Sequence, residues 1–294
     1  MLQTLNEVLK YAEANDKAIG AFNITCLETL DAVIDAAEQV NEPVIIMFAE
    51  VHEDEGVAKL DEIGPIMVER AKSSTTDVVV HLDHGKDFKM LTKALEHGFT
   101  SIMYDGSNLP YEENVSKTKE AVELASKYNA SVEGEIGKMT RESSQIQESP
   151  DFDVHSNHTN PQEASMFVEA TGVDCLACSF GTAHGLYITE PKLDLDLVSK
   201  IDTSINVPIV MHGGSGVTVE DYKEVIKRGV RKINYYTYMA KAGGEAVRDF
   251  IHASEERPVF YHEIVSVGRK AMTENVKSAI KIFSNQNEQE DIKS

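Results

Sequence analysis

Short apolar runs alternate with longer amphipathic stretches along most of this chain. The runs are AIGAFN (18–23), PVIIMFA (43–49), DVVVHLD (77–83), SIMYDG (101–106), ASVEGEIG (130–137), CLACSF (175–180), PIVMHG (208–213) and KINYYT (232–237). Their length, and the Gly, Pro, Asp and Asn residues at their ends, predict eight buried strands. Between them, LETLDAVIDAAEQV (27–40) carries apolar residues at three- and four-residue spacing, the period of a helix with one buried face. FKMLTKALEHG stops at Gly98, a helix C-terminus. PYEENVSKTKEAVELASKYNA is acidic in its first turn and carries lysine near its end, as the helix dipole prefers. Asn160 before Pro161, and Thr218 before VEDYKEVIKRG, are N-cap candidates, with Gly229 as a stop.

Eight strand-then-helix units predict the α/β class and a single (β/α)8 TIM barrel, with the active site at the C-terminal ends of the strands. The barrel with its last helix would occupy residues 1–283, leaving a polar tail at 284–294. A doubly wound open sheet is the runner-up, but no G-x-G-x-x-G follows the first strand. The polar stretch 138–160 is long for a loop in a compact barrel, and such loops are usually lids or mobile segments.

Length changes this picture little, since 294 residues suit one large barrel or two ordinary domains. Charge excludes more. With 28 Lys and Arg against 49 Asp and Glu, the net charge is −21, so neither nucleic acid nor an anionic membrane surface is an expected partner. The N-terminus lacks a basic segment followed by an apolar one, so it does not read as a secretory signal. Cys26, Cys175 and Cys178 are too few for a disulfide framework and fit a reducing cytoplasm. Cys175 and Cys178 form C-x-x-C, but on a strand, where positions three apart face opposite ways.

The predicted strand ends carry titratable chemistry. Strand three ends in Asp83-His84, strand four in Asp105, and strand five in Glu133 and Glu135. Strand six leads into His184, strand seven into His212, and strand eight into Asn234. Three imidazoles on one barrel rim would form a catalytic divalent-metal site with an open position, and Zn²⁺ suits it best. Each histidine alone would read as a polar core or loop residue. HGGSG (212–216) reads either as a phosphate cradle or as a tight turn between strand and helix.

These pieces together resemble a family. HLDHG, GFTSIMYDGSNLPYEENV, VEGEIG, GTAHGLY, PKLD, MHGGSG and KIN fall in the order and spacing of the class II, metal-dependent ketose-bisphosphate aldolases, from AFN at 21–23 to Thr237. The resemblance implies that His84, His184 and His212 hold zinc and that Asp105 and Glu135 serve a second or alternative cation position. It makes Asp83 the acid/base at the cleaved C3–C4 bond. It also assigns Asn23, Gly185, Gly213, Gly214, Ser215, Asn234 and Thr237 to the dihydroxyacetone phosphate half of a phosphorylated sugar. A homo-oligomer, dimer or tetramer, is expected. His81 and Glu133 read equally well as hydrogen-bonded barrel-interior residues.

Departures from the family pattern cluster on the groups that grip the substrate. Ala49 stands where the family has Ser, Ile188-Thr189 where it often has Lys-Gly, and Tyr238 at an acidic position. The loop glutamate is displaced, with Glu142 the nearest substitute catalytic base and Glu148 a second. An Asp-Pro-Arg found near the C-terminus of some members is absent. The expected activity is therefore reversible cleavage of a ketose 1-phosphate or 1,6-bisphosphate to dihydroxyacetone phosphate and an aldehyde, on a substrate other than the glycolytic fructose bisphosphate. A fructose- or tagatose-bisphosphate aldolase proper, a metal-dependent hydrolase and a non-catalytic sugar-phosphate-binding barrel remain as alternatives.

Overall fold

Strands β1 (Ile19–Asn23), β2 (Val44–Ala49), β3 (Val78–Gly85), β4 (Ser101–Tyr104), β5 (Ser131–Ile136), β6 (Cys175–Cys178), β7 (Ile209–Met211) and β8 (Val230–Asn234) pair in parallel, each with the next, and β8 closes on β1. The predicted barrel is thus the observed one. A computed structural model describes residues 1–137, 158–187, 190–254 and 257–286. Most of the 138–160 loop, with Glu142 and Glu148, lies outside the described residues, as do Ile188, Thr189 and the tail from 287.

Period-two alternation divides each strand between two apolar layers. Ile19, Ala21, Ile45, Met47, Val79, Cys175, Ala177 and Val210 point into the barrel. They meet Leu5, Val8, Leu9 and Ala12 of helix α1 (Leu5–Ala14), which plugs the N-terminal mouth and is held by a capping box of Thr4 and Glu7. Phe22, Ile46, Phe48, Val78, Val80 and Cys178 pack outward against the helices. The two cysteines of C-x-x-C therefore lie in different layers, both buried and both free, and burial pushes both thiols up.

The outer ring consists of α2 (Leu27–Val40), α3 (Glu50–Asp54), α4 (Leu60–Ser73), α5 (Phe88–Glu96), α6 (Tyr111–Ser126), α7 (Pro161–Thr171), α8 (Leu195–Ser204), α9 (Val219–Lys227), α10 (Thr237–Ala253) and α11 (Tyr261–Phe283). Asn160 caps α7 by accepting from the N–H groups of Gln162 and Glu163, and Thr218 caps α9 by accepting from that of Asp221. The hydropathy pattern does not single out α3, α4, α8 or α10. Pro65 interrupts α4, and the LDLDL stretch at 193–197 before and into α8 alternates like a strand. Gly243 sits inside α10, where a Cβ would lie 2.9 Å from the Met272 side chain of α11, so the glycine that weakens the helical signal permits close packing. Among the described residues, no helix is long and apolar enough to cross a membrane.

Candidate active site

Toward the C-terminal ends of the strands, the inward positions change from apolar to polar. Val79 is followed at two-residue steps by His81 and Asp83, Ala21 by Asn23, Glu133 by Glu135, and Lys232 by Asn234. One residue breaks the alternation. His84 has φ +52°, and the register of β3 against β4 shifts between Leu82 and Gly85. A left-handed non-glycine residue costs about 1–3 kcal/mol. In return, consecutive residues Asp83 and His84 both reach the barrel mouth, which a regular strand forbids.

The three histidines converge. Their rings lie 4.8 Å (His84–His212), 5.1 Å (His84–His184) and 5.8 Å (His184–His212) apart, and one nitrogen from each falls within 4.8 Å of the others. His84 Nε2 is 3.1 Å from His212 Nδ1, while His84 Nδ1 is 3.0 Å from Asp105. Against burial, Asp83, Asp105 and Glu135 raise the His84 imidazole to about 9. Burial pushes His212 down, which favours the neutral ring that binds metals.

Glu135 tests whether a cation fits here. Its Oε2 is buried and has no hydrogen-bond partner among the described residues, yet it lies 3.8 Å from His84 Nδ1 and 3.9 Å from His212 Nδ1. Burial pushes its carboxyl up to about 8. An orphaned carboxylate oxygen beside clustered imidazoles is a donor set that a divalent cation would satisfy. His84, Asp105 and Glu135 form a second grouping of ligand atoms.

Asp83 is held from two sides. The Asn23 amide donates to one carboxylate oxygen at 2.9 Å and the Asn234 amide to the other at 3.3 Å. Burial would raise this carboxyl, but the neighbouring His84, His212 and Lys232 charges outweigh it and hold the group well below the usual range. Beneath lies a sealed network. Lys232, with no exposed surface, donates to Asn234 Oδ1 at 2.7 Å and pairs with Glu133 at 2.8 Å. Glu133 in turn faces His212 Nε2 at 2.7 Å. The chain His212–Glu133–Lys232–Asn234–Asp83 thus ties an imidazole of the cluster to the carboxylate beside it. His81 is fully buried, with Nδ1 2.8 Å from Ser101 Oγ, and belongs to the barrel interior.

A cavity of about 760 Å³ opens above this floor. Asn23, Asp83, His84, Asp105, Glu135, His184 and Asn234 line it from the floor, and Gly185, Gly213, Ser215 and Thr237 from the segments that follow the strands. His212 lies just beneath. Gly214 lies against β8, where its N–H donates to the Asn234 carbonyl at 3.0 Å and a Cβ would lie 2.7 Å from that oxygen. It joins the β7 turn to β8 rather than facing the cavity. Thr237 begins α10 and lines the same cavity as Gly213 and Ser215.

Other lining residues were not singled out from sequence: Glu50, His52, Asp54 and Glu55 on or beside α3, together with Lys86 and Tyr236. Lys232 had a readable signal, since it shares the inward face of β8 with Asn234. Of the departures, Ala49 lines the cavity, while the Tyr238 ring lies against Gly216 with the Lys241 ammonium 5.0 Å from its centroid.

A closed parallel barrel with clustered histidines and a buried carboxylate at one mouth is a TIM barrel whose rim could hold a metal ion. The chain matches the family described as "Fructose-bisphosphate aldolase class-II" over residues 3–288, and it belongs to that family. Its chemistry is therefore that of an aldolase, a carbon–carbon lyase of a generally metal-dependent class acting on phosphorylated sugars. Among its relatives, a sulfofructosephosphate aldolase of Alkalicoccus urumqiensis is 36% identical over 95% of this chain and 96% of the relative. A fructose-bisphosphate aldolase of Staphylococcus aureus is 35% identical over 97% and 98%. The crystal structure of the YdjI aldolase from Escherichia coli K12 superposes with a TM-score of 0.84 at 32% identity, covering 99% of this chain and all of that one.

Proposed function

We propose that this chain is a zinc-dependent aldolase that reversibly cleaves a ketose 1-phosphate or ketose 1,6-bisphosphate to dihydroxyacetone phosphate and an aldehyde, with a native substrate other than glycolytic fructose 1,6-bisphosphate. The observation that carries this reading is the pairing of Asp83, gripped by Asn23 and Asn234, with the three-histidine cluster at one cavity floor. In cleavage, Asp83 accepts the proton of the C4 hydroxyl, and the C3–C4 bond breaks with its electron pair left on the ketone fragment. In condensation it returns that proton. A divalent cation held by His84, His184 and His212 would supply Lewis-acid stabilisation of the enediolate, and the all-imidazole set favours Zn²⁺.

Asn23 and Asn234 keep the Asp83 carboxylate oriented for proton transfer. Gly185, Gly213, Ser215 and the Thr237 end of α10 present backbone N–H groups and hydroxyls suited to the phosphate of the dihydroxyacetone phosphate half. Gly214 supports that turn from behind. Asp105 and Glu135 suit a second cation position. A loop glutamate, Glu142 or Glu148, would move the proton at C3.

A fructose- or tagatose-bisphosphate aldolase proper is the second reading, favoured by the S. aureus relative. The two named relatives differ by only one percentage point, 36% against 35%, so identity does not rank their substrates for this chain. A hydrolase would leave the phosphate-suited turns without a purpose. The cytoplasm suits the three free cysteines. Exposed Ile251, Phe260 and Tyr261 at the α10–α11 junction support a homo-oligomer.

Coupled measurement of dihydroxyacetone phosphate release across a panel of ketose phosphates tests the proposal. Release from at least one ketose 1-phosphate, faster than from fructose 1,6-bisphosphate, is expected. No release from any compound would overturn the aldolase assignment, and fructose 1,6-bisphosphate as the best substrate would overturn the substrate assignment.

A further inference from the structure

One part of the cavity wall takes no part in the chemistry above. Immediately after β2, helix α3 and its C-cap bring Glu50, His52, Asp54 and Glu55 to the cavity, beside Lys86 and Tyr236. Carboxylates outnumber ammonium groups three to one among these six residues. His52 is only 8% exposed, and its Nδ1 has no hydrogen-bond partner among the described residues. Its ring centroid lies 5.3 Å from that of Tyr236, and Asp83 and Glu55 both act electrostatically on its imidazole. Its backbone carbonyl accepts from Val57 N at 2.8 Å and Ala58 N at 3.2 Å, which pins the segment. Glu50 is tied down as well, accepting from Lys86 N at 2.8 Å.

A buried imidazole with unused hydrogen-bonding capacity, in a cavity wall, is built to meet a ligand. Burial lowers its pKa, so the ring is neutral near pH 7 and can both donate and accept, as a hydroxyl partner requires. His52 and Asp83 line the same cavity, and Asp83 acts electrostatically on the His52 imidazole. If Asp83 serves the C4 oxygen, the groups next to His52 belong to the carbons beyond C4. Carboxylates around that position accept hydrogen bonds from hydroxyl groups and repel phosphate.

We infer that His52, framed by Glu50, Asp54 and Glu55, is a specificity-determining residue for the aldehyde half and selects an uncharged, polyhydroxylated tail over a phosphorylated one. This rests on the aldolase reading above and sharpens its substrate class.

The test runs the reaction in the condensation direction. Dihydroxyacetone phosphate is offered with neutral short-chain aldoses and with the same aldoses phosphorylated at their far end. The wild-type enzyme should favour the neutral aldehydes by about tenfold or more in kcat/KM. His52→Ala should raise KM for them about three- to tenfold, the effect of one lost hydrogen bond, with a smaller change in kcat. His52→Gln should recover part of that loss. Glu50→Gln with Glu55→Gln should narrow the gap between neutral and phosphorylated aldehydes. A wild-type preference for phosphorylated aldehydes would overturn the inference. So would a His52→Ala effect equal on both classes, or no effect at all. Hydrogen exchange at C3 of dihydroxyacetone phosphate in heavy water separates this failure from that of the parent reading. Exchange persists if only the tail assignment is wrong. Absence of exchange together with absence of condensation takes down both.

Discussion

The floor of the cavity and its α3 wall are built in different ways. On the floor, Asp83, Glu133, Lys232 and Asn234 come from three strands and His212 directly follows a fourth; all are buried and bond to one another in a continuous chain. Strand register sets each position, so one substitution disturbs several partners. On the wall, His52, Asp54 and Glu55 come from one short helix and its cap, and His52 Nδ1 has no hydrogen-bond partner among the described residues. A change there should alter what binds without disturbing the chemistry. On the proposed reading, bond cleavage and substrate choice rest on different parts of the cavity. Family members with different substrates can then share a floor while differing around it.

Substitutions should divide along this line. The largest effect is expected from His212→Ala, which removes an imidazole of the cluster and leaves Glu133 facing a hole. Metal analysis should show the bound cation lost, and turnover should fall to background. Next, Asp83→Ala should retain its metal and its affinity for dihydroxyacetone phosphate while kcat falls about 10²–10⁴-fold, the usual contribution of a general acid or base. Loss of metal in that variant would make Asp83 a ligand instead.

Lys232→Met tests the coupling beneath the floor. It leaves the buried Glu133 carboxylate without its ammonium partner, and breaking such a pair costs about 3–5 kcal/mol. A denaturant midpoint measurement should show that loss, and the double variant Lys232→Met with Glu133→Gln should recover much of it. Ser215→Ala is milder. It removes the acceptor for Tyr236 N at 3.1 Å and a hydroxyl from the turn, raising KM for dihydroxyacetone phosphate about three- to tenfold. Smallest of all, Glu55→Gln on the wall should shift stability by no more than about 0.5 kcal/mol. A larger shift would show that the wall is coupled to the floor after all.

The floor was far more legible in the sequence than the wall. Two-residue spacing along VVVHLD and KIN marks which side chains face inward, and eight strand ends must share one rim, so Asp83, Asn234 and the histidines could be named. What spacing could not show is how Asp83 and His84 face the same way, because that depends on the left-handed turn at His84. Gly214 illustrates a second limit. A glycine that permits close backbone approach and one that cradles a ligand look alike in a sequence, and the structure adds that the Gly214 N–H donates to the Asn234 carbonyl, where a Cβ would not fit. Helix α3 is five residues long, too short for a hydrophobic period to emerge, so EVHED carries no helical signal in the sequence.

Metal dependence of dihydroxyacetone phosphate formation is the most direct measure of the central claim. Release from the best ketose phosphate should be followed before chelation, after exhaustive chelation, and after Zn²⁺ is returned. Loss of release on chelation and recovery with Zn²⁺ are the predicted results. Release that survives complete metal removal, or covalent trapping of substrate on the chain by borohydride, would contradict the account.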